Sequence, residues 1–440
     1  MTTVAFETLG CRLNQADTAQ LQTLLEARGF RTVETTAGPD VVVINTCTVT
    51  ARAELSDRQA IRRARRASPG ARIVVTGCWA QTSPGEVAAL GGVDLVLGNV
   101  DKTRLPDLLV EMGPTGPAPR LEVTDVAAAR FEPAMPRPHL NGRARAFVKV
   151  QDGCRHRCAF CIVPFARGGS RSLDPARVED QVRALVEGGH PEIVLTGVDL
   201  GDYGADLIPR ASLAGLLARL VEVRGLRWLR LSSMLPAYFT EELLALVTSS
   251  PVIAPHFHVP LQSGSDRVLR RMRRPYTAAT YRRLIEHLAA AIPRMGLGAD
   301  VLVGFPGETA EDFAATRALV EALPFSYLHV FPYSARRGTE AARLPARGSS
   351  RTVAERARLL RDVGAEHGRR FRDALVGRSE DALVLETIDP RSGALTALTG
   401  NFVEVTFAGP DRLRRHLARV RVTAAGARTA EGVLEDRTAA

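Results

Sequence analysis

Two stretches of the chain alternate short β-branched runs with helical periodicity, and a third does not. Residues 4–9, 41–45, 73–76 and 93–97 are runs rich in Val, Ile and Leu that give way to Gly, Asn or Thr. Helical patterns at 14–28, closed by Gly29, and at 51–67, closed by Ser68-Pro69-Gly70, lie between them. Apolar strands spaced by helices predict a parallel α/β sheet, whose ligands sit beyond the carboxyl ends of the strands. From residue 145 the alternation resumes. Strands are expected at 146–151, 192–196, 227–232, 257–260, 298–303 and 327–331, with helices at 175–187, 212–223, 276–290 and 311–322. Six such units predict a (β/α)6 partial barrel with its chemistry at the C-terminal ends of the strands. After a long helix from 352 to about 374, the runs 381–387, 394–398, 402–407 and 418–422 are separated by Gly, Pro and Asn turns, which predicts a small all-β barrel. The fold class is α/β with that barrel appended.

Prolines 114, 117, 119, 133, 136 and 138 fall in a stretch with few large apolar residues, a linker composition. The expected domains are 1–112, a linker at 113–139, the partial barrel at 140–370 and the small barrel at 371–437. In 440 residues, 45% hydrophobic and 24% charged content excludes a disordered or collagenous chain. No run reaches the roughly 18 uncharged apolar residues of a membrane span. No basic-then-apolar leader opens the chain, so a cytoplasmic protein in a reducing compartment is expected.

Charge changes the picture once it is divided. Residues 1–140 carry 15 basic and 15 acidic side chains, residues 371–440 carry 10 of each, and residues 141–370 carry 33 against 23. The whole surplus of ten sits in the expected barrel, which points to a polyanionic partner, nucleic acid first. Arginine runs at 58–66, 267–274 and 412–419 could grip phosphate, and Arg270, Arg271, Arg273 and Arg274 are preferred because they lie in the basic segment. Only Lys102 and Lys149 are lysines, against 56 arginines, which reads as the codon bias of a GC-rich genome.

Six cysteines are too few for a disulfide scaffold. Cys154, Cys158 and Cys161 lie within eight residues just after an expected strand. Three thiolates can hold three corners of a metal centre. Structural zinc wants four closed ligands, and His156 would have to fold back onto its own loop to be the fourth; a 4Fe-4S cluster with three cysteines leaves one iron open for a substrate. Cys11, Cys47 and Cys78 are far apart in sequence, yet each follows the C-terminal end of an expected strand. A parallel sheet gathers those ends on one edge, so a second three-thiolate site is expected beside the bland reading of three buried thiols.

The CxxxCxxC loop after the first strand of a β/α barrel resembles the radical S-adenosylmethionine (SAM) superfamily. Cys11-Arg-Leu-Asn14-Gln15, Asn45-Thr-Cys-Thr-Val49, Thr76-Gly-Cys78, Leu261-Gln-Ser-Gly-Ser-Asp266, Val303-Gly-Phe-Pro-Gly-Glu-Thr309 and His329-Val-Phe-Pro-Tyr-Ser334 extend the resemblance to its methylthiotransferase family over nearly the whole chain. Arg12, Leu13 and Gln15 resemble the branch acting on threonylcarbamoyl-adenosine in tRNA; other branches act on isopentenyl-adenosine or a ribosomal protein. The resemblance implies two [4Fe-4S] clusters, one on Cys154, Cys158 and Cys161 that generates a radical from SAM and one on Cys11, Cys47 and Cys78. It implies SAM contacts at Phe160, Gly197, Ser232 and Gly304, a TRAM-like C-terminal barrel, tRNA as partner, and an electron donor and a sulfur donor. A reading from another class is a non-catalytic, metal-stabilised RNA-binding protein.

Overall fold

The computed structural model describes residues 1–112, 118–128, 143–345 and 348–435. The first six strands, β1 (Thr3–Thr8), β2 (Arg31–Thr32), β3 (Val41–Thr46), β4 (Arg72–Gly77), β5 (Leu95–Leu97) and β6 (Arg120–Glu122), form one sheet in the order β2-β1-β3-β4-β5-β6. Every pair in it is parallel. All six residues of β3 are buried, as a strand covered on both faces requires, and this is why the sequence reads as an unbroken apolar run. The polar edge strands β2 and β6 escape that rhythm. Strand β6 falls within the stretch expected as a linker; of its six prolines only Pro119 belongs to the described residues.

The next eight strands build the barrel. They are β7 (Arg145–Lys149), the short pair β8 (Gln151–Asp152) and β9 (Arg171–Ser172), then β10 (Glu192–Thr196), β11 (Trp228–Leu231), β12 (His256–His258), β13 (Gly296–Val303) and β14 (Tyr327–Pro332). Parallel sheets β11-β10-β7 and β12-β13-β14 are joined by a Leu229↔Ile253 bridge, giving an open barrel with β7 and β14 at its lips. Side chains alternate along each strand. Val148, Ile193, Leu195, Leu229, Phe257 and Val301 join one large core beneath the outer helices. The opposite set carries the charge, with Lys149, Glu192, Arg230, His258, Asp300 and His329 beside Val194 and Trp228.

The last five strands, β15 (Ser379–Ile388), β16 (Leu395–Thr399), β17 (Glu404–Phe407), β18 (Leu417–Ala425) and β19 (Ala430–Leu434), close a barrel in the order β15-β16-β17-β19-β18. Sequence pattern missed β19 because Glu431 and Gly432 interrupt its apolar residues. This barrel plugs the N-terminal end of the larger one. Arg230, fully buried, holds Glu192 at 2.8 Å and donates to the Gly400 carbonyl at 2.8 Å. The Phe402 ring stacks on His256, with centroids 4.2 Å apart.

Replacing Glu192 with Ala would strand the Arg230 cation in that plug. Urea denaturation should register a loss of roughly 3–5 kcal/mol, the usual cost of orphaning a buried charge, and Arg230→Leu in the same chain should recover most of it. A loss under about 1 kcal/mol would mean that the carbonyls alone satisfy Arg230.

Candidate active site between two cysteine triplets

Strand β8 delivers the chain into the loop of Cys154, Cys158 and Cys161. Gly153 has φ +74°, and a Cβ there would meet the Gly169 carbonyl oxygen at 1.9 Å, so the entry to the loop demands glycine. Backbone bonds clamp the rest: Cys154 N–H to Gly168 O at 3.0 Å, Ala159 N–H to Met272 O at 3.1 Å, and Ala341 N–H to Ala159 O at 2.7 Å. His156 stays beside the triplet, its Nε2 3.4 Å from the Asp199 oxygen that the Cys154 thiol meets at 3.7 Å. The same Nε2 lies 2.8 Å from the Tyr238 hydroxyl, which donates to Asp199 at 3.0 Å.

The second triplet forms at the carboxyl edge of the first sheet, where β1, β3 and β4 end. Gly10 has φ +93°, and a Cβ there would meet the Cys47 Cβ at 2.6 Å. Buried Asn14 donates to Leu9 O at 2.7 Å and Thr46 O at 2.9 Å, tying the Cys11 and Cys47 loops together. Asn99 Nδ2 lies 3.9 Å from Cys78 Sγ and donates to Ala166 O at 2.8 Å, just beyond Cys161, so it spans the two domains. A cavity of about 750 Å³ opens against Cys158 and Cys161, walled by Gln81 and Val123–Val126 of the first domain and by Gly338–Glu340.

Burial raises the thiol pKa in both triplets. Cys47 is pushed up to about 12 by burial and then by Cys78; Cys161 rises to about 11 through burial, with Cys158 and Cys78 adding to it against Arg274; Cys154 rises through burial and then Asp199. A nucleophilic cysteine needs the opposite shift. Metal charge is what deprotonates such thiols outright. One zinc ion would draw its sulfurs to about 3.8 Å apart at Zn–S bonds of about 2.3 Å. Among the described residues neither triplet has its three Sγ atoms within 4.8 Å of one another. Neither triplet is gathered as tightly as one zinc ion would require.

A buried ionic knot joins the two domains beside the second triplet. Asp17, on the helix Arg12–Ala27, is met by Lys102 at 2.7 Å, by Arg167 at 3.0 Å and by Lys149. Asp152 takes Lys149 at 3.1 Å and Arg167 at 3.1 Å, and Arg167 also donates to Asn14 at 2.8 Å. Burial alone would raise the Asp17 carboxyl; Lys102, Lys149 and Arg167 outweigh it and hold it well below the carboxylate range.

Residues 148–320 match the radical SAM superfamily, and residues 3–98 match an uncharacterized protein family, UPF0004. The threonylcarbamoyladenosine tRNA methylthiotransferase MtaB of Aquifex aeolicus is 40% identical over 92% of this chain and 97% of its own length. The MtaB of Bacillus subtilis is 37% identical over 99% and 98%. The chain belongs to the MtaB-type methylthiotransferases. Members of this radical SAM family use SAM and [4Fe-4S] clusters. A tRNA-2-methylthio-N(6)-dimethylallyladenosine synthase from Thermobifida fusca is 36% identical over 87% of this chain and 78% of its own. The fold resembles that of the radical SAM methyltransferase TsrM from Kitasatospora setae, solved with cobalamin and a [4Fe-4S] cluster (TM-score 0.56, 19% identity, 76% of this chain and 75% of that one).

The residues expected to contact SAM divide in this methylthiotransferase. Ser232 follows β11 and Thr196 ends β10, both with buried hydroxyls that have no hydrogen-bond partner among the described residues, as a polar ligand edge would require. Gly197 packs on Gln151, where a Cβ would meet Oε1 at 2.9 Å, and Gln151 in turn donates to the Gly153 carbonyl at 2.7 Å. Gly304 lies against Val353 and gives its N–H to Glu308 at 2.9 Å, which Arg356 also holds at 2.8 Å, so this turn closes on itself. Phe160 is half-buried, with the Arg274 guanidinium 5.3 Å from its ring centre. The arginine run is therefore not one phosphate-gripping face. A short helix, Asp266–Arg271, ends within the run, and Arg273 turns back with φ +60°. Arg271 lies 6.0 Å from the Phe305 ring centre and Arg274 faces the cysteine loop, which leaves Arg270 and Arg273 exposed, the latter 2.6 Å from Glu340. The run at 58–66 divides likewise, Arg58 lying over Trp79 and Arg65 donating to the Ala71 and Gly92 carbonyls.

Sequence reasoning missed a chain of side chains in the barrel interior. Tyr327 OH meets His256 Nε2 at 2.9 Å and His258 Nδ1 at 3.0 Å, and Asp300 lies 3.1 Å from His258 Nε2 and 3.2 Å from His329 Nδ1. Three ligand-type atoms thus meet at His258, Asp300 and His329. Burial, then Arg230, holds His256 well below the ordinary imidazole range, so it is neutral, and its buried Nδ1 has no partner. An orphaned lone pair is cheaper than an orphaned N–H, so the proton sits on Nε2. Donation then runs from His256 to Tyr327, to His258 and to Asp300, so one hydrogen-bonded chain crosses the barrel interior. Alternation of His256-Phe-His258 and Tyr327-Leu-His329 was the available signal.

Asp17→Asn should leave three cations around a neutral amide and lower stability by roughly 3–5 kcal/mol in urea unfolding. Because the Asp17 pKa is depressed, its stabilisation is fully present above the unfolded value of about 3.9 and is lost as pH falls through the lower folded value. The gap between mutant and wild type should therefore be flat from pH 7 to 5 and narrow only below about pH 4. A gap that already closes by pH 5 would contradict the depressed carboxyl.

Proposed function

We propose that this protein methylthiolates C2 of N6-threonylcarbamoyladenosine beside the anticodon of tRNA. The observation that carries the reading is the meeting of two cysteine triplets, from different domains, across one interface. Cys154, Cys158 and Cys161 hold one [4Fe-4S] cluster and Cys11, Cys47 and Cys78 hold a second, beside which the sulfur is delivered. The reduced first cluster with SAM supplies hydrogen-atom abstraction, the chemistry that an aromatic C–H too inert for any side-chain base requires. Gly153 and the clamps from Met272 and Ala341 fix the loop that presents the first triplet. The orphaned hydroxyls of Thr196 and Ser232 bind polar edges of SAM, and Phe160 covers its adenine. Arg270 is the member of its run available to phosphate, Arg273 being paired with Glu340. An electron donor and a sulfur donor complete a cytoplasmic reaction. The relatedness to dimethylallyladenosine synthases makes isopentenyl-adenosine the second reading.

Two outcomes test the division between the triplets. Cys158→Ala should abolish reductive cleavage of SAM, whereas Cys47→Ala should keep that cleavage and lose methylthiolated product. Iron per chain should fall from about eight to about four when either triplet is replaced by alanine. Identical behaviour of the two folded variants in both assays would refute separate roles, and a reconstituted wild type holding only about four irons would remove the second cluster.

Substrate choice is read from nucleosides. Mass spectrometry of tRNA from a deletion strain should show loss of 2-methylthio-threonylcarbamoyladenosine with accumulation of its unthiolated precursor. Loss of the isopentenyl product alone would promote the second reading.

A further inference from the structure

We propose that the Arg12 guanidinium, at the floor of the open barrel, receives the carboxylate of the threonylcarbamoyl group and thereby sets substrate choice. This assignment rests on the substrate reading above. Arg12 opens the helix that follows Cys11, and its guanidinium reaches across the barrel opening to lie 5.5 Å from the ring centre of Phe402. Phe402 stacks on His256 and stands 6.0 Å from Tyr327, so Arg12 belongs to the polar interior described above.

What distinguishes Arg12 there is its lack of an anion. Among the described residues no carboxylate lies within 4.0 Å of it and no group accepts a hydrogen bond from its guanidinium, although it is half-buried. The nearby acids are committed. Glu192 is held by Arg230 at 2.8 Å with Arg145 at 3.8 Å, and Asp300 by His258 and His329. Lys149, the other cation on the inward side of β7, is taken by Asp17 and Asp152. The interior is reachable, since the His329 side chain is 53% exposed and Phe331 is 42% exposed.

A planar guanidinium matches a carboxylate with two parallel hydrogen bonds. An isopentenyl group in the same place would cover Arg12 with hydrocarbon and leave it unpaired, so one residue both attracts the right substituent and rejects the wrong one. Adenine would then extend from this floor toward the cysteine triplets.

Binding separates this assignment from the substrate reading. Reconstituted protein would be titrated with anticodon stem-loop RNAs whose target adenosine is unmodified or carries threonylcarbamoyl, its methyl ester or isopentenyl. Wild type should bind the free acid roughly ten- to a hundredfold tighter than the methyl ester. Arg12→Gln should erase that ratio while leaving the affinity for the ester unchanged, and Arg12→Lys should restore part of it. A ratio that persists in Arg12→Gln overturns the proposal, as does a wild type that prefers threonylcarbamoyl to isopentenyl yet does not distinguish acid from ester. A wild type that prefers isopentenyl overturns the substrate reading itself. Because residue 12 adjoins Cys11, iron content is measured in each variant. If Arg12→Gln loses iron, Phe402→Leu, which removes only the ring beneath the guanidinium, must still shrink the ratio, and an unchanged ratio there overturns the proposal.

Discussion

Everything chemical in this molecule depends on a carboxylate that never meets water. Asp17 sits where the first domain closes the open side of the barrel, and three cations converge on it: Lys102 from its own domain, and Lys149 and Arg167 from the barrel. A lone buried carboxylate would be prohibitive, and so would three buried cations; only the docked arrangement satisfies both. The knot of Lys102, Lys149, Arg167, Asp17 and Asp152 keeps one positive charge in excess, and Arg167 directs it at Cys11 and Cys78. That excess favours thiolate at a site where burial otherwise opposes it. Domain docking and the electrostatics of the second triplet are thus coupled through one arginine.

The second constraint is an interior that the barrel does not fill with hydrocarbon. In closed eight-stranded barrels, layers of branched residues pack the centre. Here the lips β7 and β14 stay apart, and the inward positions include Arg230, Lys149, Glu192, His258, Asp300 and Tyr327, each held by a neighbour of opposite or complementary character. Such a network tolerates a visitor in a way that a packed core does not. It is also expensive when half-satisfied, which is why the small barrel seals its N-terminal end with Phe402 and with carbonyls aimed at Arg230.

Much of this was legible in the sequence, and the parts that were not share a cause. Continuous apolar runs announced β1, β3 and β4, and cysteines at their ends announced the second triplet, because burial on both faces leaves an unmistakable record. Strands β2 and β6 left none, since edge strands are held by backbone bonds that polar sequence permits equally well, and in β19 Glu431 and Gly432 break the apolar run. The four-arginine run looked like one face because charge is visible in sequence and direction is not; the helix end at Arg271 and the left-handed Arg273 scatter it. The two lysines were the plainest signal misread. Against 56 arginines they looked like residue noise from codon bias. Yet both are buried on the same carboxylate, where a compact ammonium fits among other cations and a forked guanidinium would need more room.

Helical geometry links these features. Cys11 is the extended residue that caps the helix and Arg12 is its first helical residue, so the two adjacent side chains leave in different directions, while Asn14 and Asp17, three apart, share a face. One rigid segment therefore offers a thiol to the sheet edge, a guanidinium to the barrel floor, and an amide and a carboxylate to the knot that anchors it. On the proposed roles, the residue that reads the substituent and a thiol of the triplet beside which sulfur would be delivered are neighbours in the chain. The separation of the two is set by covalent and helical geometry, so a substituent that fails to reach Arg12 also leaves its adenine at the wrong depth for C2. On this arrangement recognition and positioning are a single event, and the knot at Asp17 maintains both.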